Sequence, residues 1–253
     1  EQEFQNWECI IVNDGSSDNT DCIANKWITK DSRIKYIKKE NSGVSDTRNL
    51  GINQAIGEYI LPLDADDKID KSYIKEALDT FDKCPKAKLV YSNLCFFGTV
   101  GETKIMREYV FENMLTENQI FVSAIFRKSD FCKTSGYNTN MVDGLEDWDF
   151  WLSFLNEDDL VIKLDGFYLH YRIKIKSRSA DVTTEKNEKI LIQIFKNHTS
   201  LFLKCFNPIR DHINANNYKN ELNNTLLSPE YRIGKIICYP YRIFIKVLKR
   251  LSR

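Results

Sequence analysis

Net charge is missing from this chain. Lys+Arg and Asp+Glu both number 36 over 253 residues, so there is no overall field to draw in nucleic acid, and no nucleic-acid partner is expected. Paired cysteines are missing too. The seven present (Cys9, Cys22, Cys84, Cys95, Cys132, Cys205, Cys238) are odd in number, scattered, and contain no C-x-x-C. That argues against a zinc site and against a disulfide framework and suits a reducing cytosol. His170 has no second histidine near it, so it reads as structural and not as a metal ligand. No apolar run approaches the ~20 residues of a membrane span. No leader peptide, internal repeat or low-complexity tract is legible. The first residue is Glu, in what reads as the lead-in to a strand, so the chain is expected to start inside a domain.

What is present is ordinary in bulk, 42% hydrophobic and 28% charged, enough for one large domain or a domain with an extension. The informative part is local. At Tyr59–Asp67 a short apolar run ends in three acids, Asp64, Asp66 and Asp67. Such a run reads as a buried strand, and the carboxyl ends of strands are where open α/β sheets bind ligands. Crowded carboxylates call for a cation. A divalent ion such as Mg²⁺, which bridges carboxylates to substrate phosphates, answers that need.

Ahead of the acids, Glu8–Asn13 reads as a strand, Asp14–Thr20 as a capping-rich turn, and the following stretch to about Lys30 as a helix. The turn is either a plain strand–helix junction or a place where Asp14 accepts hydrogen bonds from a nucleobase or ribose. Arg33–Lys38 reads as a strand. Asp46–Ile56 reads as a helix with Leu50, Asn53 and Ala55–Ile56 toward the sheet, its glycine-bearing N-terminus a weak anion site. After the acids, Ser72–Cys84 is helical, with Ile74, Ala77, Leu78 and Phe81 at helical spacing. Leu89–Phe97 and Gln119–Arg127 are strands, and Lys128–Ser135 is a short helix. Asp159–Arg172 reads as two short β segments around Asp165-Gly166, and Thr184–Phe206 as one amphipathic helix.

A second acidic cluster, Glu146, Asp147 and Asp149, opens a helix running to about Asn156. Acids are at home at helix N-termini for capping and dipole reasons alone. Trp148 and Trp151 beside them also suit a sugar, whose apolar face stacks on aromatics. At the C-terminus, residues 229–253 carry seven basic side chains against one acid, +6, leaving −6 for the rest of the chain. Tyr231–Leu251 alternates these with bulky apolar residues, which reads as an interfacial helix on an anionic membrane surface.

Three chemistries use acidic loops of the first kind. A calcium-binding EF-hand counted from Asp64 needs Gly and an acid at its sixth and twelfth positions, where Ile69 and Lys75 stand. A haloacid-dehalogenase-type phosphatase would follow its Asp-x-Asp with a pair such as Gly-Thr, and Asp67-Lys68 stands there. A nucleotide-sugar site with a metal on the diphosphate remains. Four ordered motifs then resemble a family 2 glycosyltransferase of the GT-A fold: Ile10–Thr20, Asn41–Ile52, Gly57–Ile60 running into Leu63–Asp67, and Glu146–Trp148. The resemblance spans roughly residues 7–179, while the family's usual first strand and its nucleotide-contacting turn are not seen.

That resemblance implies an α/β domain over 1–180 with a mixed, mainly parallel sheet flanked by helices, N-terminally incomplete, and a helical extension over 181–253. It implies inverting, metal-dependent transfer from a nucleotide-sugar, with a UDP-sugar as donor, to a glycan or lipid-linked acceptor in surface polysaccharide synthesis. A non-catalytic nucleotide-sugar binder or partner-recruiting subunit is the alternative. By the same resemblance Asp14, Gly43, Arg48 and Asp64 line the nucleotide-sugar pocket. Asp66 with Asp64 holds Mn²⁺ or Mg²⁺, Asp147 is the catalytic base with a near-normal pKa, and Glu146 and Trp148 belong to the acceptor site. Lys174 stands where the family often has His, and is expected to pair with the diphosphate. The expected location is cytoplasmic, peripheral on the inner face of the membrane.

Overall fold

In a computed structural model of the chain, residues 1–174, 183–206 and 208–228 are described. The chain divides into two compact units, the first Glu1–Thr199 and the second beginning at Ser200. The first unit therefore runs past residue 180 and takes in one further helix. The basic stretch 229–253 lies outside the described residues.

The first unit opens with two βα steps. β1 (Cys9–Asp14) and β2 (Ile34–Lys39) pair in parallel, bringing Asp14 opposite Lys39. α1 (Thr20–Ile28) connects them, and α2 (Val44–Gln54) follows β2. α2 packs on β1 through Gly51, where a β-carbon would meet Val12 Cγ2 at 3.3 Å, and through buried Ile52. The expected face is thus shifted: Ile56 lies beyond the helix and is 83% exposed.

β3 is only Tyr59–Ile60. Pro62 has no N–H to donate, so the ladder stops where the sequence reads a longer strand. The acids instead form a turn, Asp67 N–H donating to Asp64 O at 3.0 Å, before β4 (Lys68–Ile69). α3 (Tyr73–Lys83) buries Tyr73, Ala77 and Phe81 against Val90 and Ile125. β5 (Ala87–Gly98), β6 (Thr103–Lys104), α4 (Phe111–Met114), β7 (Ile125–Arg127), α5 (Lys128–Phe131), α6 (Glu146–Phe154) and β8 (Leu160–Ile173) complete the sheet and its cover.

The larger sheet runs β3-β7-β5-β8-β4, with β6 paired to β5. Its long ladder, β5 with β8, is parallel, and the antiparallel pairings are two residues each. β8 is one strand where two segments were expected. Asp165-Gly166 is a bulge in it, held by Asn93 Nδ2 donating to Asp165 O at 2.7 Å. Ladder pairing in β7 begins at Ile125, and in the stretch before it the Gln119 side chain is tied to Val110 N–H and C=O (3.1 and 2.7 Å).

α7 (Thr184–Asn197) starts on a Thr183 cap whose hydroxyl accepts from Lys186 N–H at 3.2 Å. The single helix expected over 184–206 breaks at His198, and α8 (Thr199–Cys205) follows. His198 leaves the helical conformation and places its ring 2.9 Å from Asp149 Oδ1. In the second unit, α9 is Pro208–Leu227, its proline at the first turn where a missing N–H costs nothing. No helix of the described residues is long and apolar enough to cross a membrane.

Candidate active site

α2 supplies the first half of the site. Its N-cap, Gly43, has φ +94° with open space where a β-carbon would go, so glycine is needed there for its backbone conformation and not for room. The turn around Gly43 is held by Asp14. Asp14 Oδ1 accepts from Ser42 N–H (2.9 Å) and Lys39 Nζ (2.5 Å), and Oδ2 accepts from Gly43 N–H (2.9 Å). Burial opposes ionisation of Asp14, but these donors outweigh it and hold its carboxyl below the usual range. Asp14 and Gly43 are therefore brought together, with the carboxylate engaged in shaping the turn. Lys39 also reaches Asp46 at 3.1 Å. Lys39 was not singled out from sequence, although the parallel register opposite Asp14 would have found it.

One turn into α2, Arg48 Nη2 donates to Asp64 Oδ1 at 2.7 Å. The Arg48 side chain is 13% exposed and stands over the Tyr137 ring at 5.4 Å. Burial works against the cation, yet the Asp64 carboxylate, Tyr137 and Asp147 together outweigh it and raise the Arg48 pKa. Nη1 is buried and has no hydrogen-bond partner. Asn49, next in α2, clamps Tyr137 by its backbone, accepting from Tyr137 N–H and donating to its C=O, both at 2.8 Å. Tyr137 in turn stacks on Phe150 of α6 at 4.2 Å between centroids. A cation, an aromatic ring and the second acidic helix are thus one continuous stack.

The end of β8 holds the acid turn from the other side. Arg172 N–H donates to Asp67 Oδ1 (2.8 Å), and Arg172 Nε to Asp66 C=O (3.0 Å). Lys174 Nζ lies 2.6 Å from Asp66 Oδ2. Lys174 is therefore at the acid cluster, but its partner here is Asp66. Asp67 is buried, its Oδ2 without a hydrogen-bond partner. Burial pushes its carboxyl up to about 6, against the pull of the Arg172 N–H and with Asp64 and Asp66 adding to the rise.

The donors at the turn are hard oxygens, the set that Mn²⁺ or Mg²⁺ takes. Asp64 and Asp66 are each tied to a side-chain cation. Among the described residues no group of three or more His, Cys, Asp or Glu side chains is arranged to hold a metal. The turn fits a divalent ion whose remaining ligands come from substrate phosphate and water, as magnesium sites commonly do.

α6 carries the second acidic cluster. It starts after Gly144 (φ +134°) and Leu145, a non-glycine residue at φ +57°, a strained entry of the sort that concentrates at functional sites. Its three acids have separate fates. Asp149 is fully buried and takes Asn138 Nδ2 (2.5 Å), Asn197 Nδ2 (2.7 Å) and the His198 ring (2.9 Å), so it anchors α7. Glu146 is buried. Asp147 is held at Oδ1 by Trp148 N–H (2.9 Å) and at Oδ2 by Asn118 Nδ2 (3.1 Å). Burial raises the Asp147 pKa, and the positive charge of Arg48 is the largest influence opposing that rise. The near-normal value expected from sequence is corrected upward, because the carboxyl sits against packed side chains.

The tryptophans are also corrected. Trp148 is 5% exposed and Trp151 fully buried. Their indole N–H groups donate to Met114 O (2.7 Å) and Ile120 O (3.0 Å). Neither ring presents a face for a sugar to stack on. Sequence composition gives aromatics beside acids, but only packing says which way the rings go.

The acid turn clamped by Arg48 and Lys174, the glycine-capped α2 beside it and the separate half-buried carboxyl of α6 all lie on an α/β fold of the GT-A class. S. aureus TarS in complex with UDP shares the fold at TM-score 0.58 and 22% identity, over 79% of this chain and 65% of that one. The Pyrobaculum calidifontis mannosyltransferase PcManGT, solved with GDP-Man and Mn²⁺, does so at TM-score 0.54 and 14% identity, over 93% and 76%. Residues 1–143 match the family model "Glycosyl transferase family 2", and the chain belongs to that family. Curated relatives include glycosyltransferase GlyA of Streptococcus pneumoniae (26% identical, 84% of this chain, 33% of GlyA). GgaB of Bacillus subtilis, a minor teichoic acid biosynthesis protein, is 28% identical over 77% of this chain and 24% of its own length. The chain thus spans a third or less of these two relatives.

Proposed function

We propose that the chain is an inverting glycosyltransferase that moves a hexosyl group from a UDP-sugar to a glycan or lipid-linked acceptor during surface polysaccharide synthesis. The observation that carries this reading is the Arg48 guanidinium, bonded to Asp64 at 2.7 Å and acting electrostatically on Asp147. It ties the donor end to a carboxyl suited to proton transfer. TarS bound to UDP and to UDP-GlcNAc supports the choice of nucleotide.

Asp147 takes the proton of the acceptor hydroxyl as that oxygen bonds to the anomeric carbon. The bond to the diphosphate breaks on the opposite face, its electron pair leaves with the nucleotide, and the anomeric configuration inverts. A pKa above the usual carboxylate range strengthens Asp147 as a base near neutral pH. Gly43, with the Asp14-braced turn, shapes the nucleotide pocket, and Arg48 holds Asp64 in place. Asp66 with Asp64 would hold Mn²⁺ or Mg²⁺, whose charge stabilises the departing diphosphate. Lys174 moves from Asp66 to the diphosphate as charge builds there. Glu146 and Trp148 act behind the acceptor site by shaping the start of α6. Residues 1–180 carry this chemistry. Within the extension 181–253, the basic stretch 229–253 anchors the enzyme to anionic lipid on the cytoplasmic face, which liposome co-sedimentation with and without that stretch tests.

The test is a thermal-shift screen of nucleotide sugars with and without Mn²⁺. A ligand at 100 times its Kd adds about 2.7 kcal/mol, or roughly 5–10 °C for a domain of this size. A metal-dependent shift with a UDP-sugar is expected, followed by UDP release on turnover. No shift with any nucleotide sugar in either condition contradicts the reading. The pairing of Asp66 with Lys174 favours a second one, a non-catalytic sugar-nucleotide binder. Binding without turnover in the same screen would select it.

A further inference from the structure

The two buried tryptophans have a common target. Trp148 holds Met114 C=O and Trp151 holds Ile120 C=O, so α6 grips both ends of the stretch 114–120. Within that stretch Asn118 is half-buried and has both ends of its amide in use. Oδ1 accepts from Ile120 N–H at 3.3 Å, which orients the amide, and Nδ2 donates to Asp147 Oδ2 at 3.1 Å. Gln119 fixes the same stretch to Val110. Asp147 Oδ1 is taken by Trp148 N–H, so Asn118 is the side chain that sets the direction of the other oxygen.

We propose that Asn118 is a positioning residue for the catalytic base. Its amide turns Asp147 Oδ2 toward the acceptor and favours the ionised carboxylate. This rests on Asp147 being the base. The charged and titratable groups acting on Asp147 are Arg48 from α2, Glu146 from α6 itself, and Tyr137, whose own pKa Asp147 helps to raise. Asn118 is the neutral group among them. Removing it takes a donor from the ionised form without changing the charge of the site.

The experiment compares Asn118→Ala, Asn118→Ser and Asn118→Asp with Asp147→Asn in the full chain. UDP release measures turnover, and calorimetry measures UDP binding. A hydrogen bond to a charged group is worth enough for Asn118→Ala to lower kcat by about tenfold or more. UDP affinity should stay within about twofold of the parent. The acid limb of kcat/KM, which reports the free enzyme, should move to higher pH in Ala and further in Asp. Ser, which keeps a donor, should lie between Ala and the parent and covers the case of Ala failing to fold. Turnover retained in Asp147→Asn overturns the base assignment itself. Turnover lost there, with an unmoved acid limb in the Asn118 variants, overturns the role of Asn118 alone.

Discussion

Replacing Arg48 by Met tests how the two acidic clusters are joined. Methionine keeps most of the length and apolar bulk and removes the charge. Loss of one partner from a fully buried ion pair costs roughly 3–5 kcal/mol. Here Arg48 is 13% exposed but Asp64 is 41% exposed, so water takes over part of the Asp64 charge, and the cost of desolvating Arg48 is also relieved. The expected destabilisation is therefore about 1–3 kcal/mol, or roughly 2–12 °C in Tm, read by urea and thermal unfolding. A second effect is electrostatic. Arg48 lowers the Asp147 pKa against the burial that raises it, so without it the carboxyl rises further. The acid limb of kcat/KM then moves to higher pH, because the base stays protonated over a wider range. Arg48→Lys restores charge without the planar fork and should recover the pH profile better than the stability. Arg48→Met within about 0.5 kcal/mol of the parent, with an unmoved profile, would refute the coupling.

Three further outcomes follow from the same geometry. Asp67→Asn should stabilise the protein at pH 8 by about 1–2 kcal/mol, since a carboxyl pushed up to about 6 is ionised there at a cost that each pKa unit sets at about 1.4 kcal/mol before screening. Its folded pKa lies above the unfolded one, so the gain should fade as pH drops from about 6 toward 4, and a gain constant with pH in chemical denaturation would count against it. Gly136 has φ +72°, and a β-carbon there would meet Asn49 Oδ1 at 2.5 Å. Gly136→Ala should cost about 1–3 kcal/mol by strain and by breaking the Asn49–Tyr137 clamp, and full stability would contradict that. Lys174→Met should tighten Mn²⁺ binding without nucleotide by a few fold, given the modest worth of a half-exposed pair, and weaken UDP binding; calorimetry giving the same affinity for both ligands would show that the Asp66–Lys174 pair does neither.

The fold was legible where local pattern decides it. β1, α1, β2 and α3 follow from apolar periodicity and turn residues, and the motif order points to the GT-A class. Misreadings arose where tertiary contacts decide. Pro62 cut β3 to two residues, a signal present in the sequence and outweighed there by the apolar run. The bulge at Asp165-Gly166 reads locally as a turn, and only the parallel ladder with β5 makes it part of one strand. His198 breaks a helix because Asp149 draws its ring away, which no spacing in 184–206 announces.

At the site, Asp64 and Asp66 were legible as crowded acids, whereas Arg48 and Lys174 came to them only through the family resemblance. The particular pairings, Arg48 to Asp64 and Lys174 to Asp66, depend on where α2 and β8 end. The tryptophans illustrate the remaining limit. Aromatics beside acids carry the same composition in a sugar cleft and in a packed helix, and burial alone separates the two.

One substitution decides whether the half-buried carboxyl of α6 is the base. Asp147→Asn keeps the side-chain shape, and its single amide oxygen can accept from Trp148 N–H or from Asn118 Nδ2, but not from both. UDP affinity should be retained, within about threefold by calorimetry, while sugar transfer to acceptor falls by roughly 100-fold or more, as removal of a general base does. Transfer at the parent rate with UDP affinity intact would place the proton acceptor elsewhere.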